Sequence, residues 1–220
     1  MLHFENVSKS FLIRGRMMPI VSGGTFTAHH EQNFGLIVPE RSGKSTMVNL
    51  IQGAEQPDTG KVYRYGKISW PVGGVGGLIP ALTGAENCRF IAMIYSLDPD
   101  DVLAFAIDLA RIGHYMDMPV RTYSSTLQKR LSVSLLLALE FDMYLVIEGA
   151  SAGDQEFSQR AGPLLREKLE RTPIMFMGSK LGQMKKMCER CAILHDCKIH
   201  EFETLEEADA FVEYGMLGHG

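Results

Sequence analysis

The segment that most constrains the fold of this chain is VPERSGKST, at residues 38–46. Residues 42–45 fit the end of the pattern G-x-x-x-x-G-K-[ST], in which backbone N–H groups cradle phosphates, the lysine reaches the outer phosphates and the hydroxyl meets magnesium. The pattern begins with glycine, whereas this chain has Val38 at that position. The surrounding sequence must therefore show whether the segment is a phosphate-binding loop.

The segments on either side of the loop supply the expected context. LHFENVSKSFLI and FTAHHEQNFGLIV are typical of strands, and TMVNLIQGA has the apolar spacing of a helix. Strand, tight loop and helix, in that order, are what a phosphate-binding loop requires. The glycine-rich PVGGVGGLIPALTG lacks such a strand-to-helix placement, so we interpret it as a flexible joint and not as a cofactor loop.

The second half of the chain alternates strands with helices. MYLVIEG is typical of a buried parallel strand, and it precedes a charged helix near residues 157–171, the strand PIMFMG, the helix LGQMKKMCER, the strand AILHDCKI and the helix TLEEADAFVEYGML. This alternation predicts an α/β sheet covered by helices. We expect one domain over residues 1–220, with a core at 1–84 and 141–220 and an inserted helical subdomain at about 85–140.

Composition bounds the class of protein and its partners. The 220 residues are 45% apolar and 22% charged, with a net charge of −4, which is ordinary for a folded globular protein. No Lys/Arg run marks a nucleic-acid surface, so we expect no nucleic-acid partner. No apolar run approaches the roughly 20 residues that span a bilayer, and the N-terminus lacks a signal-peptide core, so we expect the chain in the cytoplasm.

Three of the four cysteines cluster with a histidine in CERCAILHDC, namely Cys188, Cys191, His195 and Cys197. This spacing offers four tetrahedral zinc ligands on paper. The alternative is a half-buried strand over residues 191–199, in which the cysteines act as small apolar residues. We favour the alternative, because strand alternation would point the ligands in different directions and no second C-x-x-C pair exists.

In this order and spacing, the motifs resemble the ATP-binding cassette (ABC) family, in particular the nucleotide-binding subunits of capsular-polysaccharide and related glycan exporters. The resemblance extends through nearly the whole chain, in FENVSKSF, GKST, QPDTGKV, KISWPVG, LTGAEN, YMDMPVRTYSSTLQKRL, FDMYLVIEGASAGD and MFMGSKL. KISWPVG, LTGAEN and MDMPVRTYSS are more specific to glycan exporters than to cassettes in general. The implied fold is a P-loop NTPase core with a mainly parallel sheet, an N-terminal antiparallel β part and an inserted helical subdomain.

The resemblance also implies roles for individual residues around ATP and Mg²⁺. Those that would bind the nucleotide are Phe11, Ser42, Gly43, Lys44, Ser45, Thr46 and Ser124. In the family, the aromatic at Phe11 stacks on adenine, Ser45 also meets Mg²⁺, and Ser124 reaches a γ-phosphate held by the opposite subunit. For Phe11, the alternative is an ordinary strand hydrophobe. Glu148 matches the general base that orients water, and Asp154 matches an acid in the loop that links the two sites of a dimer.

Six positions depart from the family pattern, all in motifs that handle the nucleotide. Val38 and Arg41 replace glycines of the loop, and a left-handed conformation at position 41 would cost an arginine about 1–2 kcal/mol. Ile147 replaces the aspartate that holds magnesium. The magnesium-sensing glutamine, a signature glycine and the switch histidine are replaced by Ile79, Thr126 and Ser179. We therefore expect impaired ATP hydrolysis, and whether the chain is an enzyme stays open.

Two functions of different classes follow from the resemblance. The first is the ATP-binding subunit of a glycan exporter, attached through an integral-membrane permease to the cytoplasmic face of the inner membrane and paired as a homodimer or with another cassette. The alternative is a catalytically silent cassette that serves as a regulatory or structural binding module of a membrane complex. A small-molecule P-loop kinase is disfavoured, because no arginine-rich lid follows the strands.

Overall fold

The computed structural model describes residues 1–150 and 153–215 of the chain. Its strands are β1 (Leu2–Ile13), β2 (Arg16–Ala28), β3 (Phe34–Ile37), β4 (Thr59–Arg64), β5 (Tyr144–Ile147), β6 (Ile174–Gly178), β7 (Arg190–His195) and β8 (Lys198–Phe202). Its α-helices are α1 (Lys44–Gln52), α2 (Gly84–Ile94), α3 (Pro99–Ala110), α4 (Ser125–Ala138), α5 (Gln155–Arg171), α6 (Leu181–Met184) and α7 (Leu205–Ala210). A π-helical turn, Phe211–Gly215, follows α7.

The strands form the two sheets that the sequence predicts. β2, β1 and β4 form an antiparallel sheet near the N-terminus, and β5, β6, β3, β7 and β8 follow one another in a second sheet. In the second sheet β3 is parallel to both β6 and β7, whereas β8 is antiparallel to β7. Because β3 is central, the loop that follows it lies at the edge where the carboxyl ends of the parallel strands meet, which is where α/β sheets bind ligands.

The chain divides into two compact units. The first comprises Met1–Ile68, Leu145–Glu148 and Pro173–Gly220, and it contains α1 and nearly all of the strand residues. The second comprises Ser69–Tyr144 and Gly149–Thr172, and it contains α2, α3, α4 and α5. A single nucleotide-binding domain with a helical subdomain at about 85–140 stays a prediction.

The helices of the second unit begin at side chains that cap them. Thr83 and Glu86 form a capping box at the start of α2. Asp98 accepts hydrogen bonds from the N–H groups of Asp100 and Asp101 at the start of α3, where acidic side chains favour the positive end of the helix dipole. The caps of α4 and α5 are two candidate functional residues, Ser124 and Asp154.

Two predicted elements differ from the structure. AILHDCKI is not one strand, because the chain turns between β7 and β8 at Asp196 and Cys197, whose φ angles are +47° and +61°. Two successive positive φ angles suit a tight hairpin, and the usual sequence marker of that turn, a glycine, is missing here. The helix expected over LGQMKKMCER is shorter, since only Leu181–Met184 is α-helical.

The glycine-rich segment at residues 73–77 is packed against Trp70 and is not the flexible joint that its composition predicts. A Cβ atom added at Gly76 would lie 2.6 Å from the Cβ of Trp70. Ser132 donates a 2.7 Å hydrogen bond to the Gly76 carbonyl, and the Trp70 ring meets Phe141 edge to face at 5.5 Å between centroids. The glycine is required because a larger residue would leave no room for the indole ring.

We expect Gly76→Ala to lower the free energy of unfolding by about 1–3 kcal/mol, because the added methyl overpacks the site around Trp70. Urea unfolding measures this change. The matched control is Gly182→Ala in α6, where nothing lies within 4 Å of the added Cβ atom. This control should raise the unfolding free energy by less than about 1 kcal/mol. Equal losses in both variants would contradict the packing explanation.

Candidate phosphate-binding site

Val38 fits the start of the loop because its side chain belongs to the core. Its N–H donates a 2.8 Å hydrogen bond to the Gly178 carbonyl, which extends the pairing of β3 with β6, and the residue is fully buried. The loop then turns back through a 3.1 Å hydrogen bond from the Ser42 N–H to the Pro39 carbonyl. The missing first glycine therefore leaves the path of the backbone intact.

Arg41 has the left-handed conformation that the family pattern suggests, with a φ angle of +64°. For a residue with a side chain this conformation costs about 1–2 kcal/mol. The side chain of Arg41 is exposed. Arg41 therefore strains the backbone of the loop, but its side chain does not occupy the space inside the loop.

Gly43 prepares the start of α1 for an anion. It is the N-cap residue, with a φ angle of +95°, and no side chain caps the helix. A Cβ atom there would collide with the side chain of Ile20 in β2, so both backbone and space require glycine. The N–H groups in the first turn of a helix have no intrahelical partners and lie at the positive end of its dipole. This geometry suits phosphate, and binding of phosphate by Gly43, Lys44 and Ser45 stays a prediction.

Glu148 connects this loop to the neighbouring strands. One of its carboxylate oxygens, Oε2, accepts hydrogen bonds of 2.6 Å from both the hydroxyl and the N–H of Ser179, which follows β6. The same oxygen lies 3.8 Å from the Lys44 ammonium. Hydrogen bonding from the Ser179 hydroxyl is the main cause that holds the pKa of Glu148 below its usual value. A carboxylate with several donors is stabilised as an anion and is a weaker base.

The residues fit a polyphosphate better than they fit a metal ion. Ile147 is an alkyl side chain at the end of β5 and offers no oxygen ligand, and the carboxylate of the next residue, Glu148, is already bonded to Ser179. Magnesium needs six oxygen ligands and usually takes carboxylates as well as phosphates and water. Among residues 1–150 and 153–215, no group of three or more His, Cys, Asp or Glu side chains is arranged to hold a metal.

The remaining predicted residues lie on separate elements. Phe11 is 36% exposed on β1, and the Lys9 ammonium lies 5.3 Å from the centre of its ring. Ser124 accepts a 3.3 Å hydrogen bond from the Leu127 N–H at the start of α4, and Thr126 is exposed in the same turn. Nucleotide contacts of Phe11 and Ser124 therefore stay predictions, as does that of Thr46 in the first turn of α1.

Two polar partners were missed in the sequence. Arg130 in α4 makes a bidentate pair with Asp154, at 2.7 and 2.8 Å, and this arginine is the main cause that lowers the pKa of Asp154 to about 2. Asp154 thus anchors the start of α5 in addition to any role in a dimer. The buried Asn87 accepts a 2.7 Å hydrogen bond from the Ile79 N–H and donates one of 3.1 Å to its carbonyl, which fixes the backbone at position 79. A single sequence carries no signal that pairs Arg130 with Asp154, or Asn87 with the backbone of Ile79.

The cysteine cluster behaves as part of the apolar core. Burial raises the pKa of the Cys188 thiol to about 12 and that of Cys191 to about 11. Cys197 donates a 3.2 Å hydrogen bond to the Pro19 carbonyl. Cys188 and Cys191 are buried in the core of the described structure, which agrees with the interpretation of these two cysteines as small apolar residues.

Comparison with known proteins decides the family. The chain is 35% identical over 208 residues to the capsule polysaccharide export ATP-binding protein CtrD of Neisseria meningitidis serogroup B, covering 94% of this chain and 96% of that protein. It is 32% identical over 208 residues to the ATP-binding protein BexA of Haemophilus influenzae, with the same two coverages. The chain belongs to the ABC ATP-binding proteins of capsule polysaccharide export. No family model matches the sequence.

Solved structures confirm the ABC ATPase fold. The post-hydrolysis dimer of the ATP-binding cassette MJ0796, bound to ADP and Pi, aligns with a TM-score of 0.68 and 20% identity over 93% of this cassette and 99% of that chain. The ATP-binding subunit of another ABC transporter aligns with a TM-score of 0.70 and 18% identity, over 100% and 95%. Across its described residues, the cassette has no helix that is both long and apolar enough to cross a bilayer.

We expect Ser179→Ala to weaken the fold in a pH-dependent way. The variant keeps the N–H donor to Glu148 but loses the hydroxyl, so the pKa of Glu148 should rise towards its usual 4.5. Because the pKa of Glu148 is lower in the folded state than in the unfolded state, its charge stabilises the fold at pH values above the unfolded-state pKa. This stabilisation is lost as the pH falls through the lower, folded-state pKa. At pH 7 the variant should lose about 1–2 kcal/mol of unfolding free energy.

Urea unfolding at pH 7 and again below pH 4.5 measures this effect, and the loss should shrink at the lower pH. Ser179→Thr keeps the hydroxyl and is the matched control. The same loss at both pH values would show that Ser179 does not act through the charge of Glu148.

Proposed function

We propose that this cassette is the ATP-binding subunit of an ABC transporter that exports capsular polysaccharide or a related glycan, and that it hydrolyses ATP poorly. The observation that carries the first part is the identity of 35% with a capsule polysaccharide export protein over nearly the whole length of both chains. A teichoic acids export ATP-binding protein, TagH of Staphylococcus epidermidis, is 30% identical over 226 residues and extends the likeness to a second class of glycan.

Binding of ATP is supported by the geometry of the loop. In this proposal the phosphates accept hydrogen bonds from the first turn of α1, and the Lys44 ammonium exchanges its contact with Glu148 for the outer phosphates. Phe11 would stack on adenine, and Ser42 and Thr46 would complete the cradle. Ser45 would hold Mg²⁺ together with phosphate oxygens and water.

Poor hydrolysis is supported by two features around Glu148. Its Oε2 atom accepts both donors of Ser179, which stabilises the carboxylate as an anion and makes it a weaker base for the attacking water. The neighbouring Ile147 brings no oxygen ligand for the metal, whose charge stabilisation at a phosphoryl group amounts to several kcal/mol. Loss of a positioned base typically costs on the order of 10² to 10⁴ in rate. These losses do not add when the groups act as one unit.

Assembly with other subunits is also part of the proposal. ABC ATP-binding subunits of export systems pair with each other and with membrane permeases. We place this cassette at the cytoplasmic face of the inner membrane, held by its permease. In a dimer, Ser124 at the start of α4 would face the phosphates bound by the other cassette, so pairing with an intact cassette would leave the phosphate loop of that partner facing Ser124 and Thr126.

Titration of the purified chain with ATP, followed by calorimetry, tests binding. We expect binding with little dependence on Mg²⁺, and Lys44→Ala should weaken it at least about tenfold, by removal of a charged phosphate contact. Lys61→Ala, which removes an exposed lysine of β4, is the matched control and should bind like the wild type. If the wild type binds no ATP, the silent structural module becomes the better function.

Phosphate release tests the second part of the proposal. The double variant Ile147→Asp/Ser179→His supplies a carboxylate ligand for the metal and removes the hydroxyl donor to Glu148, so we expect its turnover to rise at least about tenfold, since each 1.4 kcal/mol of barrier is tenfold in rate. Ser179→Thr keeps the bond to Glu148 and should stay slow. A wild type already as fast as the double variant would refute impaired hydrolysis.

The cellular role has a separate test. Deletion of this chain should abolish or reduce surface glycan, and the chain should copurify with a membrane permease. A deletion that leaves surface glycan unchanged would refute the exporter function while leaving ATP binding intact.

A further inference from the structure

The tip of the β1–β2 hairpin exposes large apolar side chains. Antiparallel pairing of β1 with β4 ends at Ser8, so residues 11–18 form a ribbon of two strands only. The exposed fractions are 70% for Leu12, 53% for Ile13, 62% for Met17 and 49% for Met18. A two-stranded ribbon is marginally stable in water by itself, and clustered exposed apolar side chains mark a contact surface.

The two faces of this ribbon are both apolar. Residues paired directly across two antiparallel strands share a face, and successive pairs alternate between faces. Leu12 is opposite Met17, while the next pair along joins Ile13 to Arg16. Met18 is opposite Phe11, on the same face as Ile13. Apolar side chains on both faces suit a surrounding medium of low polarity, such as the boundary between lipid headgroups and acyl chains.

The charge at the tip has one sign. The segment SFLIRGRMMP contains two arginines and no acidic residue, in a chain whose net charge is −4. Arg14 and Arg16 are exposed, and neither forms an ion pair with any residue in the described ranges. Arg14 and Gly15 have φ angles of +52° and +76°, so they form the tight turn at the very end of the hairpin.

We propose that the tip of this hairpin inserts into the interface of an anionic lipid bilayer. Cations beside exposed leucine, isoleucine and methionine are the composition of segments that lie at the headgroup boundary. Arg14 and Arg16 bind acidic headgroups, and Leu12, Ile13, Met17 and Met18 enter the boundary with the acyl chains. The cassette thereby contacts the membrane directly, in addition to the permease contact of its proposed function, and the two contacts are independent.

Cosedimentation with lipid vesicles tests this contact in the purified full chain, without any permease. We expect binding to vesicles of phosphatidylcholine with phosphatidylglycerol, weaker binding to phosphatidylcholine alone, and a decrease as salt is added. Each arginine at an anionic surface strengthens binding about fivefold, so Arg14→Ala/Arg16→Ala should bind roughly 25-fold more weakly. Leu12→Ser/Met17→Ser should also weaken binding, because less apolar area enters the interface.

Matched controls make the same changes on other exposed surfaces. Arg121→Ala/Arg166→Ala removes two exposed arginines, and Met93→Ser/Ile94→Ser removes two apolar side chains of α2 that are 63% and 58% exposed. Both should bind vesicles like the wild type. Lys44→Ala should do so too, which separates this test from that of ATP binding.

If Leu12→Ser/Met17→Ser does not fold, variants that change only the charge of Arg14 and Arg16 still test the proposal. Arg14→Lys/Arg16→Lys should retain binding, and Arg14→Glu/Arg16→Glu should abolish it. Binding that ignores charge reversal, or that is equal on vesicles with and without phosphatidylglycerol, would overturn the proposal. The proposal would also be overturned if the hairpin variants changed the particle mass measured by light scattering but left vesicle binding intact. In that case a second copy of the chain would cover the ribbon.

Discussion

The parallel pairing of β3 with β6 is the constraint on which the site depends. It aligns Ile37 with Gly178, so the chain leaves both strands at the same level, and the hydrogen bond from Val38 to Gly178 extends that alignment by one residue. From this common edge one strand leads to the phosphate loop and the other to Ser179. Glu148, at the end of β5, then meets Lys44 and Ser179 without any long side chain having to reach across the sheet.

This arrangement gives four of the six sequence departures different physical meanings. Val38 is harmless because its side chain is buried, and Arg41 strains the backbone but is directed to solvent. Ile147 removes a ligand outright. Ser179 does more than remove the histidine, because its hydroxyl is a new donor to Glu148 beside the backbone N–H of the same residue. The site therefore keeps an organised hydrogen-bond network. In this chain the network holds the Glu148 carboxylate through Ser179.

The sequence was sufficient for the motifs and the order of elements, because periodicity and short patterns are local properties. Local patterns predicted the loop between β3 and α1 and the alternation of strands with helices, whereas the antiparallel sheet was implied by the resemblance to the family. The sequence was insufficient for contacts that depend on tertiary packing, as between Arg130 and Asp154 or between Asn87 and the backbone of Ile79. Composition was misleading at residues 73–77, because glycine is found both in flexible segments and where two segments pack closely. Only the packing against the indole ring of Trp70 shows that the second case applies here.

The packing around residue 70 has a consequence for how this chain can be observed. Trp70 is the only tryptophan among the 220 residues, and it is 8% exposed, with an indole N–H that is buried without a hydrogen-bond partner in the described structure. The intrinsic fluorescence of the chain therefore originates largely in one apolar environment beside the glycine-rich turn. A spectral shift on adding nucleotide or lipid would mean that the disturbance has reached this turn, which makes the indole a built-in optical probe.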